Sequence, residues 1–109
     1  QMANQQARRS KTKRGKRMTA VPPILFAKDS TSANLIAGEV SGGVEPITAD
    51  WYRRADNGRD TSPVLVDPGV QVHTSNGLAP NTTYYFSVRY TDANNMSVTS
   101  PELEVTTDA

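Results

Sequence analysis

Residues Thr83–Thr91 alternate between two kinds of side chain, and this pattern constrains the fold more than any other part of the sequence. Every second position holds a large apolar or aromatic residue: Tyr84, Phe86, Val88 and Tyr90. Successive side chains of a β-strand point to opposite faces, so a period of two predicts a strand with one face on a core. No stretch of the chain has a convincing helical stripe, and we therefore expect an all-β protein.

Short strand-like runs separated by turn residues fill the rest of the chain from Ile24 onward. We expect strands at Ile24–Lys28, Ala33–Val40, Ile47–Arg54, Pro63–Val66, Val70–Thr74, Ser97–Ser100 and Glu102–Thr107. The pair Asn57-Gly58 is a strong hairpin signal after the third of these runs. About seven short strands within about ninety residues predict an antiparallel two-sheet sandwich.

The charge of the chain is split between its two parts. Residues 1–20 carry seven basic side chains and no acidic one, whereas the remaining residues carry five basic and eleven acidic side chains. The two parts therefore have charges of +7 and −6, which the net charge of +1 hides. The basic residues are Arg8, Arg9, Lys11, Lys13, Arg14, Lys16 and Arg17. With so little apolar content, residues 1–20 are expected to form an extended, disordered arm, and residues 21–109 to form the folded domain.

Such an arm is either a solubilising, disordered tail or a segment that binds an acidic surface, and two surfaces qualify. One is protein, either a neighbouring molecule or the acidic body of another copy of this chain. The other is nucleic acid, where seven phosphate contacts would give a log–log salt slope of about −6. No helix for groove reading and no stacking aromatics accompany the arm, so any nucleic-acid binding is expected to be nonspecific.

The run Leu78-Ala79-Pro80-Asn81-Thr82-Thr83-Tyr84 resembles the entry to the penultimate strand of fibronectin type III domains. The residues that carry the resemblance are Leu78, Pro80, Thr82 and Tyr84. It implies a seven-stranded sandwich of the fibronectin type III or immunoglobulin-like kind, in which a corner tyrosine hydrogen-bonds back to the backbone. The family places a buried tryptophan on its second strand, whereas here Trp51 on the third strand is expected to fill the core from the opposite sheet.

The resemblance also implies a function class, because these domains serve mainly as spacers and docking modules. Some lie beside secreted glycosidases, and others lie on phage tails and capsids. The only apolar run after the arm, at Ile24–Ala27, is too short for a secretory signal. We therefore expect a virion protein made in the host cytoplasm, of the capsid decoration or cement type, with a cytoplasmic protein as the alternative. Unpaired sheet edges predict an oligomeric working state.

Other candidate sites in the sequence have simpler explanations. His73 is the single histidine and is expected to be a half-exposed strand residue without a metal or catalytic partner. Asp56, Asp60 and Asp67 fit turn chemistry better than a calcium loop. With no cysteine, phosphate loop or catalytic carboxylate pair in the sequence, we expect no enzyme and no cofactor.

Two further expectations concern surfaces. A third function, adhesion to carbohydrate or a receptor, would require exposed aromatic residues, for which the sequence offers Trp51, Tyr52 and Tyr85. No apolar run approaches the length of about 20 residues that a membrane helix needs, so no membrane association is expected.

Overall fold

The computed structural model describes residues 17–55 and 62–109, and every regular element in these ranges is a β-strand. This confirms the expected all-β class. The strands are β1 (Thr19–Ala20), β2 (Ile24–Lys28), β3 (Ala33–Ile36), β4 (Val40–Ser41), β5 (Thr48–Ala55), β6 (Val64–Asp67), β7 (Val72–Ser75), β8 (Thr83–Thr91), β9 (Ser97–Thr99) and β10 (Leu103–Thr106).

Two antiparallel sheets enclose the core. The larger sheet has the order β10-β8-β5-β6, with β9 also paired to β8, and the smaller sheet has the order β2-β3-β7. β1 and β4 form a separate two-stranded ladder. The longest pairing joins β5 to β8, from Thr48 opposite Thr91 to Ala55 opposite Tyr84. The expected sandwich is therefore confirmed.

Side chains from both sheets meet between them. The largest fully buried ones are Trp51, Phe86, Leu35, Val88 and Val105. Leu35 belongs to the smaller sheet and the other four to the larger one. The alternation in β8 holds, because all four of its large residues at every second position are buried. Trp51 fills the space between the sheets, as expected, with its ring centroid 5.4 Å from that of His73 on β7.

The corner before β8 is held by a tyrosine hydroxyl. The backbone N–H of Ala79 donates a hydrogen bond to Tyr84 Oη over 2.8 Å, which is the expected bond from this side chain to the backbone. Leu78 is 3% exposed and belongs to the core, whereas Pro80 lies at the surface. Thr82 Oγ1 closes the turn by donating to the carbonyl of Pro80 over 2.9 Å.

Two expected strands have the predicted bounds, and five others differ from the structure by one or two residues at an end. Ile24–Lys28 and Thr83–Thr91 are strands over those same residues. The expected strand Ala33–Val40 is instead interrupted, since β3 ends at Ile36 and Val40 already belongs to the ladder with β1. The chain passes close to itself at Gly38, where an added Cβ would lie 2.6 Å from the carbonyl oxygen of Pro22. The expected hairpin turn at Asn57-Gly58 lies outside the described residues.

Candidate functional site

One of the seven basic residues of the expected arm, Arg17, lies in the described ranges. Arg17 is exposed. The other six basic residues of the arm lie outside the described ranges, and their expected role stays a prediction: Arg8, Arg9, Lys11, Lys13, Arg14 and Lys16.

The last residues of the expected arm, Met18–Ala20, pack on the body. Met18 is only 6% exposed and belongs to the core. Thr19 and Ala20 then pair with Ser41 and Val40 as β1, and the hydroxyls of Thr19 and Ser41 lie 2.9 Å apart. Gly43 has no side chain and so leaves space for the side chain of Met18, which anchors this segment.

A Cβ on Gly43 would lie 2.7 Å from Met18 Cγ, and its φ of +84° suits glycine. The basic segment therefore leaves the sandwich at a fixed point beside β4.

Acidic side chains dominate the described part of the body. From Val21 onward these ranges hold nine acidic and four basic residues, a charge of −5. Glu39 directly precedes β4, Glu45 follows its end by four residues, and both are exposed. Neither they nor the exposed Glu104 form an ion pair with another described residue. The chain on either side of β4 therefore carries exposed carboxylates without an ion-pair partner among the described residues.

Other carboxylates are committed to the fold. Burial raises the pKa of Asp92, but the backbone N–H groups of Met96, Val44 and Asn94 outweigh it and hold that pKa below its ordinary value of 3.8. Their donor nitrogens lie 2.9–3.1 Å from the carboxylate oxygens. Asp29 likewise has a lowered pKa, because it accepts hydrogen bonds from the backbone of Thr31 and the hydroxyl of Ser32.

Ion pairs bind two more carboxylates. Both oxygens of Glu102 accept hydrogen bonds from the guanidinium of Arg54 at 2.7 Å, and this contact lowers the pKa of Glu102. The same guanidinium lies 4.1 Å from the ring centre of Tyr85. Lys28 pairs with Asp108 at the other end of the chain. These pairs reduce the number of charges that a partner could contact.

The expectation that His73 is half-exposed is wrong. The side chain is buried, with 4% of its surface exposed, because it has polar partners on both sides. Its Nδ1 lies 2.8 Å from Asp67 Oδ2, and its Nε2 lies 2.6 Å from Ser75 Oγ. Sequence analysis missed this cluster, although the partners are only six and two residues away.

The arrangement has the order of contacts of an Asp–His–Ser triad, but its hydroxyl is enclosed. Ser75 is 2% exposed, and Arg53 Nη1 donates to its Oγ over 3.2 Å. A nucleophile needs access to its substrate, which this burial denies. Arg53 on β5 and Asp67 on β6 belong to the larger sheet, whereas His73 and Ser75 lie on β7 of the smaller one. The cluster therefore joins the two sheets through polar contacts.

The aromatic residues proposed for adhesion divide between core and surface. Trp51 is fully buried and its Nε1 donates to the carbonyl of Val70 over 2.9 Å, so it cannot contact a ligand. Tyr52 remains half-buried on the outer face of the larger sheet. There it borders an open groove of about 410 Å³, whose other lining residues are Pro63, Ser87, Arg89, Ser97 and Thr99.

Neither a metal cluster nor a membrane helix occurs in the described ranges. Residues 17–55 and 62–109 contain no group of three or more metal-binding side chains. Asp67 binds His73, and the two other aspartates considered for calcium, Asp56 and Asp60, lie outside these ranges. Within the same ranges, no helix has the length and apolarity to cross a membrane.

Comparison with known proteins gives no relative: no family model matches the chain, and no curated protein matches it.

Proposed function

We propose that this chain is a non-enzymatic interaction module, a fibronectin type III-like sandwich whose basic N-terminal arm docks on an acidic protein surface of neighbouring subunits. The observation that carries the proposal is the fixed exit of a +7 segment from a body that is itself acidic. Met18 anchors that exit in the core, so a bound arm holds the sandwich at a defined place.

The opposite charges of the arm and the body support docking between copies of the chain. The described body carries −5, and its exposed Glu39 and Glu45 lie on the two sides of β4, the strand that pairs with β1. An arm from one subunit can therefore meet carboxylates at the corresponding place on the next. Each exposed ion pair contributes only about 0.2–1 kcal/mol, but several such contacts on one tethered segment add through a high effective concentration.

We propose a virion surface as the setting, with the sandwich as a decoration or cement subunit. The support is the resemblance at Leu78–Tyr84 to a family that occurs on phage capsids, together with the connecting arm. Attachment through such an arm needs no enzymatic site, and assembly on a lattice of identical neighbours repeats one docking contact many times.

Nonspecific nucleic-acid binding is the second candidate, and the same seven basic side chains favour it. Duplex DNA presents one charge per about 1.7 Å along its axis, so an extended basic segment can bind at any position along the duplex. The two candidates differ in whether particular carboxylates of the body matter.

The test measures binding of a peptide of residues 1–17 to a chain of residues 17–109, which retains Met18 and whose cooperative unfolding is confirmed first. We expect saturable binding at low salt, weakened about fivefold by the double substitution Glu39→Gln and Glu45→Gln. Glu104→Gln, which removes another exposed carboxylate on β10, is the matched control and is expected to change little.

The same peptide is titrated with duplex DNA across a salt series. Peptide that binds DNA with a slope of about −6 and ignores the body would replace protein docking by nucleic-acid binding. Equal weakening by the Glu104 control and by the double variant would contradict docking beside β4.

A further inference from the structure

The outer face of the smaller sheet carries apolar side chains where a sandwich facing water carries polar ones. Ile24, Ile36 and Val72 lie directly opposite one another across β2, β3 and β7. Their neighbours Leu35 and His73 point into the core, so these three point outwards. They are 55%, 37% and 51% exposed.

Phe26 extends this row. It follows Leu25, which packs on the core, and it is the extra residue at the β-bulge of β2. Alternation places it on the outer face, where it is 60% exposed. We call the four residues Ile24, Phe26, Ile36 and Val72 the Ile36 face.

The Ile36 face is large enough to be the centre of an interface. Its exposed parts amount to roughly 400 Å², in the range of the largest apolar patches of monomers, which are often functional. A standard interface buries about 800 Å² on each partner, of which the central part is apolar and the rim polar. Asn34 and Thr74, which hydrogen-bond to each other over 2.8 Å on the same face, supply such a polar margin.

The residues outside the described ranges do not suit this face. These are residues 1–16 and 56–61, which contain one large apolar residue, Met2. Residues 1–16 carry six of the basic side chains of the arm, and burying them against isoleucine and phenylalanine would remove their hydration without a counter-charge.

We infer that the occupant is a second copy of this chain, joined to the first by a two-fold axis that passes close to Ile36. The row reads Ile24, Ile36, Val72 across the sheet. A two-fold axis that lies between the two faces, parallel to the strands and beside Ile36, brings Ile24 of each copy opposite Val72 of the other, so the row is complementary to itself.

Charge supports this choice of partner. The described body carries −5, and two such bodies repel each other wherever charged surfaces meet. The outward positions of the three strands that the registers define hold only uncharged residues, namely Ile24, Ala27, Asn34, Ile36, Val72 and Thr74. This face is therefore a place where two copies can approach with little electrostatic cost.

The test is sedimentation equilibrium of the full chain at concentrations up to the millimolar range. We expect a monomer–dimer equilibrium that Val72→Glu weakens at least tenfold in Kd, since each dimer would then bury two unpaired carboxylates. Val64→Glu is the matched control, because Val64 is a strand valine that is 53% exposed away from this face. It is expected to leave Kd within about twofold.

A mixing experiment tests the two-fold geometry. Ile24→Lys and Val72→Glu are each expected to be monomeric, and an equimolar mixture is expected to form a heterodimer in which the lysine of one faces the glutamate of the other. Circular dichroism melts confirm that both variants are folded before mixing.

A wild-type chain that stays monomeric throughout overturns the inference, as does equal weakening by Val64→Glu. A mixture that stays monomeric overturns the two-fold arrangement. The association is measured also on a chain lacking residues 1–16, where it is expected to persist, so it and the docking of the arm can fail separately.

Discussion

Replacing Met18 by alanine tests whether the folded body begins before the sequence boundary at Val21. Met18 is 6% exposed within the core cluster. Replacing a buried methionine by alanine costs about 2–5 kcal/mol through lost transfer free energy and a residual cavity. Met18 lies next to the two-residue strand β1, which can relax around the cavity. We therefore expect the free energy of unfolding to fall by about 2–3 kcal/mol.

Urea unfolding followed by tryptophan fluorescence measures this loss. Trp51 is the only tryptophan of the chain and is fully buried, so its emission reports the opening of the core. With an m value of about 1–3 kcal/mol per M, the midpoint is expected to fall by about 0.7–3 M. Met96→Ala is the control, because Met96 is 63% exposed and its loss is expected to change stability by less than about 0.5 kcal/mol.

Gly43→Ala adds a test of the contact itself. In the wild type the new Cβ meets Met18 Cγ at 2.7 Å, and the backbone φ of +84° is strained for alanine. In the Met18→Ala chain the clash with Met18 is removed, while the backbone strain and a close contact of 3.2 Å with Ile47 Cδ1 remain. We therefore expect the double variant to be more stable than additivity predicts by about 1 kcal/mol. Equal stability of Met18→Ala and the wild type would refute the anchor, and strict additivity would refute its contact with Gly43.

Three further predictions concern polar contacts. Tyr84→Phe removes the acceptor of the Ala79 N–H and is expected to cost about 0.5–1.5 kcal/mol with an unchanged m value; an unaltered midpoint would argue against the corner bond. Asp92→Asn should lower the urea midpoint most near neutral pH. Since the folded pKa of Asp92 is depressed, its contribution to stability is present above the unfolded pKa of about 4 and is lost as pH falls through the folded value. A difference in urea midpoint between the two chains that stays constant down to pH 2 would contradict this assignment. Ser75→Ala leaves the buried ring of His73 with one partner fewer and is expected to cost about 1–3 kcal/mol in the same assay, whereas a neutral change would show that the cluster adds no stability.

Short-range sequence patterns were sufficient to predict two strands with their bounds. The period of two in Thr83–Thr91 and the turn residues around Ile24–Lys28 were sufficient for the bounds of β8 and β2. The corner bond of Tyr84 followed from the resemblance at Leu78–Tyr84. The end of β3 could not be predicted in this way, because it depends on the passage of Pro22 beside Gly38, a contact between distant parts of the chain.

Burial was harder to predict for isolated residues. Met18 lies in a polar, basic segment without apolar periodicity, and only its contact beside Gly43 shows that it belongs to the core. His73 was expected to be half-exposed because it is a lone histidine on a short strand. The positions of Asp67 and Ser75 beside it become clear only when β6 and β7 are placed in space. Residue type alone does not contain that information.

The two-residue β1 has a mechanical consequence for any tether built on it. Force applied to the segment before Arg17 acts first on Met18 and on the short ladder with Val40 and Ser41, and only afterwards on the long pairing of β5 with β8. Releasing residues 18–23 frees six residues, whose extended length is about 20 Å at about 3.3–3.6 Å per residue. The junction therefore yields extra reach under tension while both sheets of the sandwich stay folded.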